Sequence, residues 1–261
     1  MSVLLVDLSS VLVPHYHAHG KRIGGNDTCD STVFAINSLA AEYGHDGVAI
    51  CCDAPGVPTW RKELCPSYKA DRPPWEDLLI DQYVKARGAL EHGAGYAVFV
   101  VPGFEGEDLV ASVIAKLWNS PNLRFVVASS DKDVVQMICP RVTVWSPGKK
   151  RLLDAAAALE IYGVRPNQIR DYLCMTGDAS DGIAGIKGIG EVTAKKLLAK
   201  HGTLEEILRV AGGPAAAELG IPQSKVAALL AGSEAADIAH RLVTLRKDAP
   251  VDVSKVRRVT R

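Results

Sequence analysis

Acidic residues stand just after most of the apolar runs that are predicted to form β-strands. These runs are continuous and rich in Val and Ile, which is typical of strands in a sheet covered on both faces. They occupy residues 3–6, 47–52, 97–101, 124–128 and 141–145. The acids that follow them are Asp7, Asp53, Glu105, Glu107, Asp108, Asp131 and Asp133. Since parallel strands end at one edge, where ligands bind in open α/β sheets, we expect these carboxylates to meet there.

Helical patterns alternate with the strands early in the chain and replace them later. Between the strands, helices are predicted at residues 31–43, 76–91, 105–118 and 132–137. After about residue 152 only helices are expected, at residues 154–162, 166–175, 191–200, 204–210, 222–230 and 235–245. The pattern predicts an α/β fold, with a mostly parallel central sheet and flanking helices over residues 1–152 and a helical region over residues 153–261.

Composition and charge narrow the class of protein. With 48% hydrophobic residues the chain is not disordered, collagenous or a disulfide scaffold. Aromatic residues make up only 6%, which argues against a stacking platform for single strands as the main function. The formal net charge is zero, but residues 1–181 carry −5 and residues 182–261 carry +5. This asymmetry fits a metal site beside a polyanion-binding surface, or ordinary drift of surface charge.

The chain has the features of a cytoplasmic protein. Its apolar runs stop short of the roughly 18 residues needed to cross a bilayer, so no membrane association is expected. The apolar N-terminus contains Asp7 and is interpreted as a buried strand rather than a signal peptide. The six cysteines form no C-x-x-C pair and are predicted to be reduced.

A crowd of carboxylates at one sheet edge predicts bound divalent cations. A further acidic pair, Asp178 and Asp181, lies in a short loop and joins the seven acids above. Nine such groups in one cleft would repel one another unless cations neutralised them. Mg²⁺ and Mn²⁺ prefer oxygen ligands, and two ions about 4 Å apart can activate water and stabilise the leaving oxygen of a phosphodiester.

Each acid also has a structural interpretation. Glu105, Glu107 and Asp108 suit a helix N-terminus, Asp131 and Asp133 suit an N-cap and first turn, and Asp178 and Asp181 suit a turn. Five such coincidences at one edge are less probable than a shared site. The sequence contains no phosphate-binding P-loop, no Gly-x-Ser-x-Gly elbow and no His-Glu-x-x-His motif.

A glycine-rich turn precedes one basic helix. Gly185, Gly188 and Gly190 lie directly before the predicted helix at 191–200. Such glycines allow close approach to a phosphate, and the helix N-terminus favours an anion. Lysines add positive charge at Lys187, Lys195, Lys196 and Lys200. The pattern predicts a helix–hairpin–helix near residues 177–200 that binds a duplex backbone without reading bases; the alternative is an ordinary helix connection with solvated lysines.

A third cluster mixes basic and aromatic residues between the second strand and the helix at 76. It contains Arg61, Tyr68, Lys69 and Arg72, and two prolines then interrupt any helix. A mobile segment of this kind is suited to hold the scissile phosphate and stack a base. Its alternative is a polar surface loop.

Together these motifs resemble the 5′-nuclease (flap endonuclease) family, and most of all the 5′-nuclease domain of bacterial DNA polymerase I as a free-standing chain. The resemblance runs from residue 3 to about residue 210. It rests on Asp7, Asp53, the Tyr68-Lys69-x-x-Arg72-Pro-Pro stretch, Glu105-x-Glu107-Asp108, Ser130-Asp131-Lys132-Asp133 and Gly177-Asp178-x-Ser180-Asp181, which leads into the glycine-rich turn.

The resemblance implies a PIN-like nuclease core with an arch or gateway near residues 61–92 and an H3TH-type helix–hairpin–helix. One metal would be held mainly by Asp7, Asp53, Glu105, Glu107, Asp108 and Asp131, and a second by Asp133, Asp178 and Asp181. Arg61, Tyr68, Lys69 and Arg72 would guide the displaced 5′ strand, and Lys69 would neutralise charge in the transition state. The hairpin would bind K⁺ beside a duplex phosphate.

The chain departs from the family pattern at several positions. Leu8 stands where the family has Gly, Pro14 stands near a usual basic residue, and Glu107 replaces a common Asp. Gly182 and Ala184 replace Asn and Pro in the loop after Asp181. No acid is lost, so the departures do not indicate an inactive relative.

The leading hypothesis is a monomeric, Mg²⁺- or Mn²⁺-dependent phosphodiesterase acting on DNA with a 5′ flap, nick or gap at a duplex junction. One alternative is a PIN-like ribonuclease with the same acidic edge, against which the basic helix–hairpin–helix argues. Another is a non-catalytic DNA-junction binder, against which the complete set of acids argues.

Overall fold

A six-stranded sheet lies at the centre of the first part of the chain. The computed structural model describes residues 1–20, 27–44 and 46–256. The strands are β1 (Ser2–Asp7), β2 (Gly47–Cys52), β3 (Ala97–Val100), β4 (Arg124–Ala128), β5 (Val142–Ser146) and β6 (Arg151–Leu153), in the spatial order β3-β2-β1-β4-β5-β6. The first five are parallel and β6 is antiparallel at the edge. The predicted mostly parallel sheet is confirmed.

Helices connect and cover the strands. They are α1 (Leu8–His15), α2 (Asp27–Tyr43), α3 (Trp60–Leu64), α4 (Asp77–Gly88) and α5 (Gly106–Leu117). π-Helical turns follow α1 at Tyr16–Gly20 and α4 at Ala89–Gly93, and a 3₁₀ helix follows β4 at Asp133–Met137. Buried side chains on one face of the sheet, such as Leu4 and Ile50, pack with Leu12, Ile36 and Tyr83 from α1, α2 and α4.

The later part of the chain is helical, as predicted. It contains α6 (Ala155–Tyr162), α7 (Ile169–Thr176), α8 (Glu191–His201), α9 (Leu204–Ala211), α10 (Gln223–Ala231) and α11 (Ser233–Val243). Short 3₁₀ helices lie at Pro166–Gln168, Ala179–Asp181, Ala216–Leu219 and Val253–Lys255. Within the described residues, no helix has the length and apolar character that a bilayer crossing requires.

The chain forms two compact units that do not follow a single cut in the sequence. Unit 1 comprises Met1–Trp60, Pro73–Asp154 and Leu245–Arg261, and unit 2 comprises Arg61–Arg72 and Ala155–Thr244. The chain passes from unit 1 to unit 2 after Asp154, close to the boundary expected near residue 152. The segment at 61–72 and the end of the chain each join the unit that is distant in sequence.

Several elements differ from the sequence expectations, since α1, α3 and β6 were not among the predicted helices and strands. The apolar N-terminus was expected to be one strand, but β1 ends at Asp7 and α1 begins at Leu8, because the Asp7 side chain accepts a hydrogen bond from the Ser10 N–H as an N-cap. Strand β6 was not expected, since it has only three residues.

Candidate active site

Seven of the nine predicted acids lie in unit 1, at the carboxyl edge of the sheet or on the helices that start there. Asp7 is the last residue of β1 and pairs in register with Cys51, while Val6 pairs with Ala128 near the end of β4. The strands β1, β2 and β4 thus end at one level. Asp53 follows β2 directly, and three positions separate Asp131 from the end of β4.

Asp7 is the most enclosed acid of this edge, with 2% of its surface exposed. Its Oδ1 accepts from the Ser9 hydroxyl at 2.9 Å and from the Ser10 N–H at 3.2 Å. Its Oδ2 accepts from the Ser10 hydroxyl at 2.5 Å and from the Ser129 hydroxyl at 3.1 Å. Three serines from two strand ends therefore hold the carboxylate in one orientation.

Like charges surround Asp7. Burial, together with the nearby Asp53 and Asp131 carboxylates, raises its pKa from the ordinary 3.8 to about 6, against the opposing hydrogen bonds from Ser10 and Ser9. A raised pKa means that the folded protein tolerates the Asp7 negative charge less well than water does. Asp53 and Asp131 are therefore each close enough to Asp7 to repel its charge.

When divalent cations are absent, the charge on Asp7 should lower stability as the pH rises from about 4 to about 6, and the full cost should remain above pH 6. We expect Asp7→Asn to raise the free energy of unfolding by about 2 kcal/mol near pH 7.5, because the amide fits the rotatable serine hydroxyls without a charge. Unfolded Asp7 ionises near its ordinary pKa while folded Asp7 stays protonated to about 6, so the cost develops between these values. The gain should thus fall to nearly zero towards about pH 4.

Urea unfolding in EDTA across this pH range measures the effect. Asp30→Asn is the matched control, since Asp30 is an exposed acid on α2. A gain for Asp7→Asn that is equal at both ends of the pH range would contradict the proposed origin in charge.

The first residue of α5, Gly106, lies beside both Asp7 and Asp53. The Gly106 N–H donates to Asp53 Oδ1 at 2.8 Å. A Cβ at Gly106 would lie 3.0 Å from Asp7 Oδ1, so a side chain would press the carboxylate out of place by a few tenths of an ångström. A glycine at this position lets the positive N-terminal end of the helix approach two carboxylates.

The acids on α5 have different surroundings. Glu105 is the N-cap residue, and the Thr59 hydroxyl donates to its Oε1 at 3.2 Å. Glu107 lies in the first turn with 6% of its surface exposed. Asp108 is fully buried and completes a capping box, since the Glu105 N–H donates to its Oδ2 at 3.4 Å. This capping contact is the one expected if Asp108 serves as a helix-terminal residue.

The two acids after β4 also organise the backbone. The Asp131 N–H donates to the Ser129 hydroxyl at 3.1 Å, and Asp131 Oδ1 accepts from the Asp133 N–H at 2.7 Å. Asp133 starts the 3₁₀ helix with 4% of its surface exposed. Ser129 thus contacts Asp7 and the Asp131 backbone at once, which ties the ends of β1 and β4 together.

The donor set of this edge suits a hard divalent cation. Across residues 1–20, 27–44 and 46–256, no three His, Cys, Asp or Glu side chains are grouped so as to hold a metal ion. Two carboxylates, Asp53 and Asp131, nevertheless lie near enough to Asp7 that their charges add to the effect of burial on its pKa, and a cation would offset that repulsion. Carboxylate oxygens are the ligands that Mg²⁺ and Mn²⁺ prefer.

The remaining acids lie in unit 2, where Asp181 contacts the predicted arch residues. Its Oδ1 accepts from Arg72 Nη2 at 2.5 Å, and its Oδ2 accepts from the Tyr68 hydroxyl at 3.2 Å and lies 3.7 Å from Lys69 Nζ. Asp178 caps the following turn, since its Oδ1 accepts from the Ser180 N–H at 3.0 Å. The structure therefore brings Asp181, Tyr68, Lys69 and Arg72 together within unit 2.

Two of the predicted DNA contacts are interior residues. Arg61 is fully buried, and its Nε donates to the Leu242 carbonyl oxygen at 2.8 Å. Tyr68 is 1% exposed, and its ring lies 4.9 Å from Lys69 Nζ. In this conformation neither side chain is accessible to a DNA strand. The Arg61 guanidinium and the Tyr68 hydroxyl donate their hydrogen bonds to groups inside unit 2. Their contacts are structural, which corrects the expectation that they form a surface patch.

A helix–hairpin–helix is formed by α7 and α8 and the turn between them. Gly177 ends α7 with φ +75°, and the Ile186 N–H donates to the Met175 carbonyl oxygen at 2.9 Å. Ile183, Ile186 and Ile189 are buried and anchor the turn. Every third residue points inward, so the intervening Lys187, Gly188 and Gly190 are exposed.

The lysines of the hairpin differ in their contacts. Lys187 is exposed and makes no hydrogen bond or ion pair with the described part of the chain. Lys195 Nζ lies 3.0 Å from Glu191 Oε2, and the Lys196 Nζ donates to the Gly220 carbonyl oxygen at 2.8 Å. Lys200 donates to the Glu218 carbonyl oxygen. The three lysines of α8 therefore already contact groups within unit 2.

Ser10, Ser129 and Gly106 are residues of the edge that the sequence analysis did not select. Each is within three residues of a selected acid. Their proximity to the predicted acids was the available signal, but hydroxyl-rich turns are too common to be assigned a role without tertiary contacts.

Comparisons with known proteins match both parts of the chain to one family. Residues 2–163 match the family described as 5′-3′ exonuclease, N-terminal resolvase-like domain, and residues 164–260 match the 5′-3′ exonuclease C-terminal SAM fold. A flap endonuclease Xni from Pectobacterium carotovorum is 32% identical over 201 residues, which cover 77% of this chain and 74% of that protein. The thermostable DNA polymerase I of Thermus aquaticus is 34% identical over 210 residues, or 79% of this chain. The chain spans only 25% of that polymerase.

Solved structures share the fold. A bacteriophage T5 5′-exonuclease with bound divalent metal ions (zinc) has a TM-score of 0.77 at 22% identity, covering 94% of this chain and 90% of that one. A T5 flap endonuclease in a complex with DNA and metal ions has a TM-score of 0.76 at 22% identity, covering 94% and 89%.

Proposed function

Because the chain belongs to the 5′-3′ exonuclease family, we propose that it is a divalent-metal-dependent nuclease that cleaves DNA at a 5′ end or flap beside a duplex junction. The observation that carries the proposal is the carboxyl edge of the parallel sheet, where Asp7, Asp53 and Asp131 lie close enough to raise the Asp7 pKa. Such crowding is costly in a protein that has no use for a cation there.

Mg²⁺ or Mn²⁺, as two or more ions, are the proposed cofactors. When bound, they would activate water and stabilise charge on the phosphodiester. The proposed ligands are Asp7, Asp53, Glu105, Glu107, Asp108, Asp131, Asp133, Asp178 and Asp181. The protein's part is to fix these oxygens: serine hydroxyls orient Asp7, and the Gly106 N–H orients Asp53.

Lys69 and Arg72 are the proposed phosphate contacts of the segment at 61–72. Both side chains keep partial exposure while they pair with Asp181. We assign Lys69 to stabilise charge that develops on the phosphate, and Arg72 to guide the 5′ strand. Arg61 and Tyr68 support these two residues from the interior rather than contacting DNA themselves.

The helix–hairpin–helix is proposed to bind the duplex backbone, with K⁺ beside a phosphate. Gly185, Gly188, Gly190 and Lys187 form its turn, and Lys195 and Lys196 lie on the following helix. Helix α8 has 11 residues, and its N-cap Gly190 leaves backbone N–H groups directed towards an approaching anion. The exposed positions of Lys187, Gly188 and Gly190 support this assignment.

Gly190→Ala should separate binding from stability. Nothing lies within 4 Å of a Cβ at Gly190, so the free energy of unfolding should change by less than about 0.5 kcal/mol. A methyl group at the point of closest approach should still weaken binding to a nicked duplex about tenfold, as a lost hydrogen bond to a charged group would. Fluorescence anisotropy in EDTA measures the affinity, and unchanged affinity would contradict backbone contact at this turn.

DNA with a 5′ flap, nick or gap is the proposed partner, and the proposed active form is a cytoplasmic monomer. All six cysteines are free, which suits a reducing compartment. Analytical ultracentrifugation with and without a nicked duplex tests the monomer.

A panel of end-labelled substrates tests the function. Flapped, nicked and single-stranded DNA and a single-stranded RNA are offered with Mg²⁺, with Mn²⁺ and with neither, and the products are mapped. Metal-dependent cleavage near the junction of the flapped DNA is expected. Equal cleavage of the RNA would favour a ribonuclease, and tight junction binding without turnover in either metal would favour a non-catalytic binder.

A further inference from the structure

The end of the described chain returns to unit 1 and lies along α5. We call residues 245–256 the C-terminal strap. Leu245, Ala249 and Val251 of the strap are buried, with 4%, 0% and 3% of their surfaces exposed. Apart from the 3₁₀ helix at Val253–Lys255, the strap has no helix or strand, so its buried backbone polar groups need other hydrogen-bond partners.

Three residues on one face of α5 provide those contacts. Asp108 Oδ1 accepts from the Arg246 N–H at 2.9 Å, and the Ser112 hydroxyl accepts from the Ala249 N–H at 3.1 Å. The Lys116 Nζ donates to the Val251 carbonyl oxygen at 2.7 Å. Residues four apart in a helix lie on the same face, so Asp108, Ser112 and Lys116 form a ladder along the strap.

Asp108, the first residue of this ladder, is also one of the acids predicted at the carboxyl edge of the sheet. Asp108 Oδ2 accepts from the Trp60 indole N–H at 2.9 Å and from the Glu105 N–H at 3.4 Å. The Arg246 guanidinium lies 4.7 Å from the Phe104 ring centroid and 5.7 Å from that of Trp60. The carboxylate is therefore held by its own helix, by an indole and by the strap.

We propose that Trp60 and the C-terminal strap are positioning elements for the metal site: they hold Asp108, itself a proposed ligand, and with it the first turn of α5, which carries Glu105 and Glu107. This inference rests on the proposed function. If the Trp60 indole N–H or the Arg246 N–H is lost, the fully buried Asp108 carboxylate has one hydrogen bond fewer. A buried carboxylate is sensitive to each missing hydrogen bond. The first turn then shifts, and residues that orient metal ligands typically affect affinity strongly when they are altered.

Trp60→Phe tests the proposal because it keeps an aromatic ring, although a smaller one, and removes the N–H donor. We expect Mn²⁺ affinity, measured by electron paramagnetic resonance of free Mn²⁺ without DNA, to fall about tenfold. The Mn²⁺ concentration that gives half-maximal cleavage of a flapped DNA should rise by the same factor. Duplex affinity in EDTA should stay within about twofold, since the hairpin lies in unit 2.

Lys116→Met is the matched control. It removes the last rung of the same ladder, eight positions along α5 from Asp108, and keeps the length of the side chain. Its Mn²⁺ affinity should equal that of the wild type even where thermal stability falls. Ser112→Ala removes the middle rung and should lie between the two.

Equal Mn²⁺ affinity in Trp60→Phe, Ser112→Ala and the wild type would overturn the inference. Equal weakening in Trp60→Phe and Lys116→Met would also overturn it, since the strap would then act only through general stability. A wild-type protein that binds no Mn²⁺ and cleaves no flap would instead remove the proposed function itself, which keeps the two failures distinct.

Discussion

Asp131→Asn is expected to reduce cleavage of a flapped DNA at least about a thousandfold, because a metal ligand contributes several kcal/mol of charge stabilisation and each 1.4 kcal/mol is tenfold in rate. The amide oxygen of asparagine can still accept from the Asp133 N–H, which Asp131 Oδ1 does at 2.7 Å. The loop should therefore keep its shape while it loses a negative charge. Single-turnover cleavage with Mg²⁺ measures the effect.

Duplex binding separates this result from misfolding. Affinity for a nicked duplex in EDTA should stay within about twofold, because the variant keeps the fold and the hairpin that is proposed to bind DNA. Asp30→Asn removes an exposed acid on α2 and should cleave at the wild-type rate. Full activity of Asp131→Asn would remove Asp131 from the metal site and weaken the case for the whole edge.

Gly185→Ala should destabilise unit 2 by at least about 3 kcal/mol, the upper range for added volume in a packed site. A Cβ at Gly185 would lie 2.4 Å from the Gly177 nitrogen, 2.4 Å from the Thr176 carbonyl carbon and 2.7 Å from the Met175 carbonyl oxygen. These are backbone atoms that cannot rotate away, so α7 and the hairpin turn must separate. Binding to a nicked duplex should be lost with the turn.

Gly190→Ala is the matched comparison within the same turn, since a Cβ there meets no atom within 4 Å. Urea unfolding followed by circular dichroism measures both variants, and only Gly185→Ala should lose stability. Equal stability of Gly185→Ala and the wild type would show that α7 and the turn are less closely packed than the structure has them.

The strands and the acids beyond them could be predicted because both are local properties of the chain. A continuous apolar run is required wherever a strand is covered on both faces, and β2 and β4 have the predicted bounds. Parallel pairing then brings the residues after each strand to one edge, so Asp7, Asp53 and Asp131 needed no tertiary information to be placed there.

Local patterns failed where an apolar run served two elements. The run around Asp7 contains the end of β1 and the start of α1, and only the N-cap contact to Ser10 distinguishes them. A three-residue strand such as β6 has too little pattern of its own to be recognised.

Hydrophobic period and residue type act locally, so they were enough to predict the parallel sheet, the helical second part and the acids that follow the strands. Only the tertiary structure decided what those side chains contact. The sequence predicted that Arg61 contacts DNA, but its guanidinium donates to the carbonyl oxygen of Leu242, 181 residues away. Asp108 likewise accepts a hydrogen bond from the N–H of Arg246, 138 residues away. Burial and satisfaction of polar groups depend on such distant segments meeting, and no local pattern encodes that meeting.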